Sequence, residues 1–358
     1  MSHLEERLER DLGQLRKRLA TMASAVQEAI KNSVHAVQTG NRKLAYNTVL
    51  EDLPINRTVR EIDRLCHQFV AVHLPSAGHL RLVSAAIRTN IALERIGDYA
   101  VTICREAVRL SEPPEGVIAL ELERLASESQ MMLRQSIRAF NDQNAELARG
   151  NMAMADEIEG NMDSIYDALA AEASPVRIKD ILSMFVIFAQ LKRISDQAKN
   201  ICEDTVFAVT GDAKAPKVYN ILFLDEDNSC LSQMAEAIAR KNFPGSGSYS
   251  SAGSVPAAEL NPVMVSFLGD RGIGVKELYP KPLSDLSHQD LVSQHVVVSL
   301  QGPLSSYVLE LPFHTTGLEW DLGPVPEQQE EKRFEDVYRQ LALQIKDLME
   351  LMRGEEAP

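Results

Sequence analysis

The segment LERIGDYAVTICRE at 93–106 returns as LKRISDQAKNICED at 191–204, with Asp98 and Asp196 lying 98 residues apart. An internal duplication constrains the fold strongly, because two copies of one unit fold alike and bury matching apolar faces. Around each copy the apolar residues recur every three or four positions. The first run, Leu4, Leu8, Leu12, Leu15, Leu19, Met22, Val26, Ile30, Val34 and Val37, ends at Thr39, Gly40 and Asn41, which predicts one long amphipathic helix. Further helices are predicted over about 42–73, 76–111, 117–149, 151–173 and 177–210, with breaks at Pro75 and Ser76, Pro113 and Pro114, Gly150 and Asn151, and Ser174 and Pro175. Pro54 falls inside the second helix and predicts a kink or a late start there, since it lacks an amide donor. Together these features predict an all-α six-helix bundle over 1–210, built from three-helix repeats at about 1–112 and 117–210.

Residues 211–217, GDAKAPK, read as a linker. Beyond it the period changes. VYNILFL at 218–224 and HVVVSL at 295–300 are short β-branched apolar runs, and helix-like stretches lie near 231–242, 262–271 and 331–353. Strands alternating with helices predict an α/β domain with a parallel sheet over 218–358. Phe334, Tyr338, Leu341, Ile345, Leu348 and Leu351 give the last helix an apolar stripe, expected to cover that sheet because a parallel sheet needs both faces buried.

The net charge of -14 opposes sequence-independent binding to nucleic acid, which depends on Lys and Arg neutralising phosphates. The imbalance is concentrated after residue 210, where the net is -10 against -4 before it. No apolar run approaches the roughly 18 residues of a spanning helix, and MSHLEERLER lacks the layout of a signal peptide. A cytoplasmic location is expected. Cys66, Cys104, Cys202 and Cys230 are scattered singly, without disulfide or zinc spacing.

Helical spacing places Glu94 beside Asp98, and Asp52 beside Asn56 on the preceding helix. Like charges so placed repel and invite a compensating cation, and four oxygen-bearing side chains on two helices suit a hard metal ion. The alternative is an ordinary solvated face. The second repeat offers Glu159, Asp163 and Asp196, but Lys192 stands where the first has Glu94.

LERIGDYA, preceded by PSAGHLR at 75–81 and by Glu51, Asp52, Ile55, Asn56, Ile62 and Asp63, resembles the PhoU family of phosphate-uptake regulators. The resemblance covers about 1–210 and is weaker in the second repeat. It implies a duplicated three-helix bundle whose acidic pairs bind iron or another divalent metal. It also implies partnership with the phosphate ABC transporter and its sensor histidine kinase at the inner face of the membrane, and a homodimer. Carried onto this chain, the metal residues are Asp52, Asn56, Glu94 and Asp98 in the first patch, and Glu159, Asp163 and Asp196 in the second. There the Lys192 ammonium is expected to stand in for the metal.

ILFLDEDNSCLSQMAEA at 221–237 reads as strand, tight loop and helix, an arrangement that cradles anions. NSCLSQMAEA, followed by SAG at 251–253, closely resembles low-molecular-weight protein tyrosine phosphatases and arsenate reductases. That family's loop opens with a nucleophilic cysteine and ends with an arginine, and an aspartate before a proline is its general acid. Here the cysteine position is Asp225, the arginine position is Leu231, and Asp321 is at best a displaced acid. Asp225, Glu226 and Asp227 also repel an incoming dianion. A pseudo-phosphatase is expected, with Cys230 structural. FLDEDNS also resembles the opening motif of haloacid-dehalogenase-type phosphatases, so a magnesium-dependent phosphatase using Asp225 and Asp227 is the alternative.

Overall fold

A computed structural model gives the fold, describing residues 3–160, 162–171, 178–212, 217–312, 315–326 and 331–354. The chain separates into two compact units, Met1–Lys214 and Ala215–Pro358. Part of the expected linker, 213–216, lies outside the described residues.

The first unit is helical. It comprises α1 (His3–Thr39), α2 (Arg42–Val72), α3 (Ala77–Arg109), α4 (Gly116–Asn141), α5 (Ala145–Gly160), α6 (Met162–Ala171) and α7 (Ile178–Thr210). The duplicated segments fall on α3 and α7, which pack against each other at the centre. α1 and α2 flank α3, while α4 and α5 flank α7. The apolar stripe of α1 is buried from Leu12 to Val37, together with Ile96 and Ile103 of α3 and Phe188 and Ile194 of α7. Side-chain caps begin α2 and α3: Asn41 accepts from the Leu44 amide and Ser76 from the His79 amide.

Two expected boundaries are corrected. α2 continues through Pro54 rather than starting late. In the second repeat the break lies at Asp142–Asn144, not at Gly150 and Asn151. Gln143 takes a left-handed φ of 50°, and the Asn144 side chain accepts from the Leu147 amide, beginning α5. Asn151 is instead buried inside that helix, donating to the Met132 carbonyl at 2.8 Å.

The second unit is an α/β sandwich. Its strands are β1 (Tyr219–Asp225), β2 (Gly247–Gly253), β3 (Val296–Ser299) and β4 (Thr316–Glu319); its helices are α8 (Leu231–Asn242), α9 (Pro262–Asp270), α10 (His288–Val292) and α11 (Glu331–Arg353). The sheet is wholly parallel in the order β2-β1-β3-β4. Alternate residues of β1 serve opposite faces, as the pleat requires. Ile221 and Phe223 pack with α8 and α11, whereas Leu222 and Leu224 pack with Leu304 and Val308. Phe334, Leu341 and Ile345 of α11 join the first of these cores, but Leu351 is exposed. β1 therefore ends in the middle of the sheet, with α8 beginning just beyond it, and the intervening loop is held at the carboxyl edge.

Candidate functional sites

The first acidic patch assembles where α2 crosses α3. Gly97 permits the approach: a Cβ there would stand 3.2 Å from Asp52 Oδ1 and 3.6 Å from Ile55. Asp52 Oδ2 accepts from the Asn56 side-chain amide at 2.6 Å, whereas its Oδ1 is buried without a hydrogen-bond partner. Burial raises the Asp52 pKa, and the Asp98 charge raises it further, against the Asn56 hydrogen bond and Arg105. Glu94 is likewise raised by burial and then by Asp98 and Asp52. The structure thus brings the mutually repelling carboxylates of Asp52, Glu94 and Asp98 together across two helices, with Asn56 hydrogen-bonded to Asp52 beside them.

Among the described residues no three His, Cys, Asp or Glu side chains are gathered closely enough to form a ready metal cage. The donor set nevertheless fits a hard cation that keeps part of its water shell. It offers carboxylates in mutual repulsion, an orphaned buried carboxylate oxygen, and an asparagine whose amide nitrogen is already committed. In the second repeat, Lys192 Nζ lies 3.1 Å from Asp196 Oδ2 in an i,i+4 pair. The side chains of Glu159 and Asp163 lie outside the described residues.

In the second unit, Asp225 ends β1 with its side chain fully buried. Its Oδ1 accepts from the Asn228 amide at 2.8 Å and the Ser232 hydroxyl at 2.7 Å, and its Oδ2 accepts from the Ser232 amide at 2.9 Å. Burial dominates these bonds and pushes the carboxyl up to about 6, with Asp227 adding to the rise. Asn228 sits at φ 47°, a left-handed conformation that asparagine tolerates. Its side chain donates to Ser232 Oγ at 2.7 Å and accepts from Gln233 Nε2 at 2.8 Å and from the Lys281 amide at 2.7 Å. Gly253 presses on this turn, since a Cβ there would stand 2.8 Å from the Asn228 nitrogen.

The other expected phosphatase positions are committed elsewhere. Leu231 is buried in the core beneath α8. Asp227 folds onto Ser229, accepting from its amide at 2.9 Å and its hydroxyl at 2.8 Å. Asp321 accepts from the Gly323 amide at 3.1 Å in a local turn. Cys230 is buried and its thiol is pushed up by burial and then by Asp225 and Asp227. Burial also raises the thiols of Cys66 and Cys104 to about 12 and that of Cys202 to about 11, so none of the cysteines is an activated nucleophile.

Sequence reasoning passed over two supports of this loop. Buried Glu236 accepts from Ser251 Oγ at 2.6 Å and pairs with Lys281 Nζ at 3.1 Å and Arg240 at 2.6 Å. Tyr307, whose hydroxyl donates to the Gln301 carbonyl at 2.8 Å, is raised to about 12 by burial and then by Asp225 and Glu226. Lys281 lies 45 residues from Glu236 and Tyr307 lies far along the chain from Asp225, so no local motif announces either.

Comparison with known proteins separates the same two units. The PhoU domain matches residues 19–107 and again 122–205, and the low molecular weight phosphotyrosine protein phosphatase family matches 220–357. The phosphate-specific transport system accessory protein PhoU homolog of Pseudomonas putida is 30% identical over 218 residues, covering 58% of this chain and 83% of that one. The homolog of Pseudomonas aeruginosa is 29% identical, with 58% of this chain and 88% of that one covered. The accessory protein PhoU of Escherichia coli is 26% identical over 58% of this chain and 88% of its own length. The crystal structure of PhoU from Pseudomonas aeruginosa aligns with a TM-score of 0.54 at 29% identity, over 57% of this chain and 99% of that one. The duplicated helical repeat and the extent of these matches place the chain in the PhoU family, with a C-terminal segment that matches the model of the low molecular weight phosphotyrosine protein phosphatase family.

Proposed function

We propose that this chain is an accessory of a phosphate ABC transporter that restrains uptake and phosphate-starvation signalling by binding rather than by turnover. The transporter and its sensor histidine kinase are its partners, a homodimer is its working form, and the cytoplasmic face of the membrane is its place of action. The observation that carries this reading is the match to relatives named as accessory proteins of the phosphate-specific transport system, over more than four fifths of their length. Among the described residues no helix is long and apolar enough to cross a membrane. Deleting the chain from its host should raise phosphate uptake and switch on a phosphate-starvation reporter in phosphate-replete medium. A reporter that stays silent there overturns the proposal.

Asp52, Asn56, Glu94 and Asp98 would hold the divalent or iron ion of this reading. The ion would offset the repulsion among the carboxylates and tie α2 to α3. In the second repeat the Lys192 ammonium neutralises Asp196 along α7 in place of a metal. Metal bound to the purified chain, and a metal-induced rise in Tm, should both disappear in a Glu94→Gln, Asp98→Asn variant. Retention of metal by that variant, or no metal after iron- and zinc-replete growth, removes this site.

The second unit is read as a pseudo-phosphatase. The cysteine and arginine positions are a saturated carboxylate and a core leucine, so neither a thiolate nor a guanidinium meets a substrate phosphate. A magnesium-dependent aspartate nucleophile is disfavoured on the same ground, because both Asp225 oxygens already accept hydrogen bonds in a fully buried position. The purified chain should therefore leave a generic aryl phosphate intact with added Mg²⁺. Hydrolysis abolished by Asp225→Asn would instead establish the aspartate-based enzyme.

A further inference from the structure

Phosphatase-like loops bind anions with amides that converge at the start of a helix, and here those amides point at a group of the chain itself. The Asn228 and Ser232 amides and the Ser232 hydroxyl all donate to one carboxylate, that of Asp225, at 2.7–2.9 Å. Ser232 is the second residue of α8, so the carboxylate also faces the positive end of that helix's dipole. The surrounding scaffold holds this arrangement in place. Asn228 braces Ser232, Gln233 and the Lys281 amide brace Asn228, and Gly253 presses on the turn from β2.

We propose that the 225–231 loop is an anion cradle closed by its own resident anion, the Asp225 carboxylate, which excludes external phosphate from the site. This deepens the reading of the second unit as a non-catalytic relative of the phosphatases. It accounts for loss of the loop's ligand without loss of the loop's shape. The converging donors are present at the start of α8, and a side chain tethered at the end of β1 occupies them at an effective concentration that dilute solute does not match. The nearby carboxylates Glu226 and Asp227 would repel a second anion, while Asp227 also acts against the Asp225 charge, so closure rests on the tethered hydrogen bonds.

The test uses the intact chain and Asp225→Ala, which removes a group the size of formate. Asp225→Ala should lower Tm, and sodium formate should restore most of the loss, whereas sodium chloride at the same ionic strength should not. Asp225→Asn keeps the cradle filled but turns an amide towards its donors, so formate should leave its Tm unchanged. If Asp225→Ala has the Tm of the parent, or formate acts no better than chloride, the proposal is overturned. A second measurement needs no mutant. In the unmutated chain the Asn228 and Ser232 amides should resist hydrogen exchange as strongly as the body of α8, with or without inorganic phosphate. Protection that appears only on adding phosphate would show an open cradle and sink the idea, even if Asp225→Ala fails to fold. Aryl phosphate hydrolysis abolished by Asp225→Asn would overturn both the non-catalytic reading and the closed cradle, whereas failure of the formate or exchange test without hydrolysis overturns the closed cradle alone, which keeps the two failures distinguishable.

Discussion

At the residue scale, the two sites balance charge in opposite ways. Asp52 and Glu94 face other carboxylates with little internal compensation, so both are raised by burial and by their acidic neighbours. Asp225 is more deeply buried yet hydrogen-bonded at both oxygens, and burial still pushes it from 3.8 to about 6. An acid whose folded pKa lies above its unfolded value binds protons on folding between the two values. Its contribution is unfavourable above the folded pKa and is relieved as the pH falls through it. Urea denaturation of the parent and of Asp225→Asn, compared between roughly pH 7 and pH 4, should show that the parent gains stability relative to the variant as the pH falls, on the order of 2 kcal/mol. A constant difference across that range would mean that Asp225 titrates at its ordinary value.

At the element scale, close approach rather than propensity decides the contacts that matter. Gly97 lets α2 lie on α3 at the acidic patch, and Gly253 lets the end of β2 meet the loop after β1. Gly253→Ala would place a methyl 2.8 Å from the Asn228 nitrogen and 2.9 Å from the Glu226 carbonyl oxygen. Neither backbone atom can yield without moving the cradle, so a loss of about 1–3 kcal/mol is expected in thermal or urea unfolding. A neutral effect would show that the loop shifts freely. The patterns of α1, α3 and α7 are plain in the sequence because their apolar stripes are long and regular. The α4–α5 break lies away from Gly150, a residue type that often ends helices, because the Asp142–Asn144 turn carries the left-handed residue and the cap. β2, GSYSSAG, and β4, TGLE, are small and polar or very short. They carry no strand signal of their own and become strands by pairing with β1 and β3.

At the scale of the whole molecule, each unit has its own apolar core, one built around α3 and α7 and the other on both faces of the sheet. Segments 1–214 and 215–358 expressed separately should each give a cooperative thermal transition, helical by circular dichroism for the first and mixed for the second. A non-cooperative melt from either segment would show that its core is insufficient alone. The sequence by itself determined the two-part organisation, the duplication, the parallel α/β class, the acidic pairs and the missing cysteine and arginine. The missing cysteine and arginine follow from the resemblance to the phosphatase family, and the rest from local period, spacing and residue identity, which survive without coordinates. Only the tertiary structure decided that Asp52 is left with an orphaned buried oxygen while both Asp225 oxygens have partners, and that Leu231 lies in a core and not at the loop's mouth. Those outcomes depend on which groups from distant segments, such as Lys281 and Gly253, reach the same few ångströms. Burial and hydrogen bonding are properties of that shared space, and no run of neighbouring residues encodes them alone.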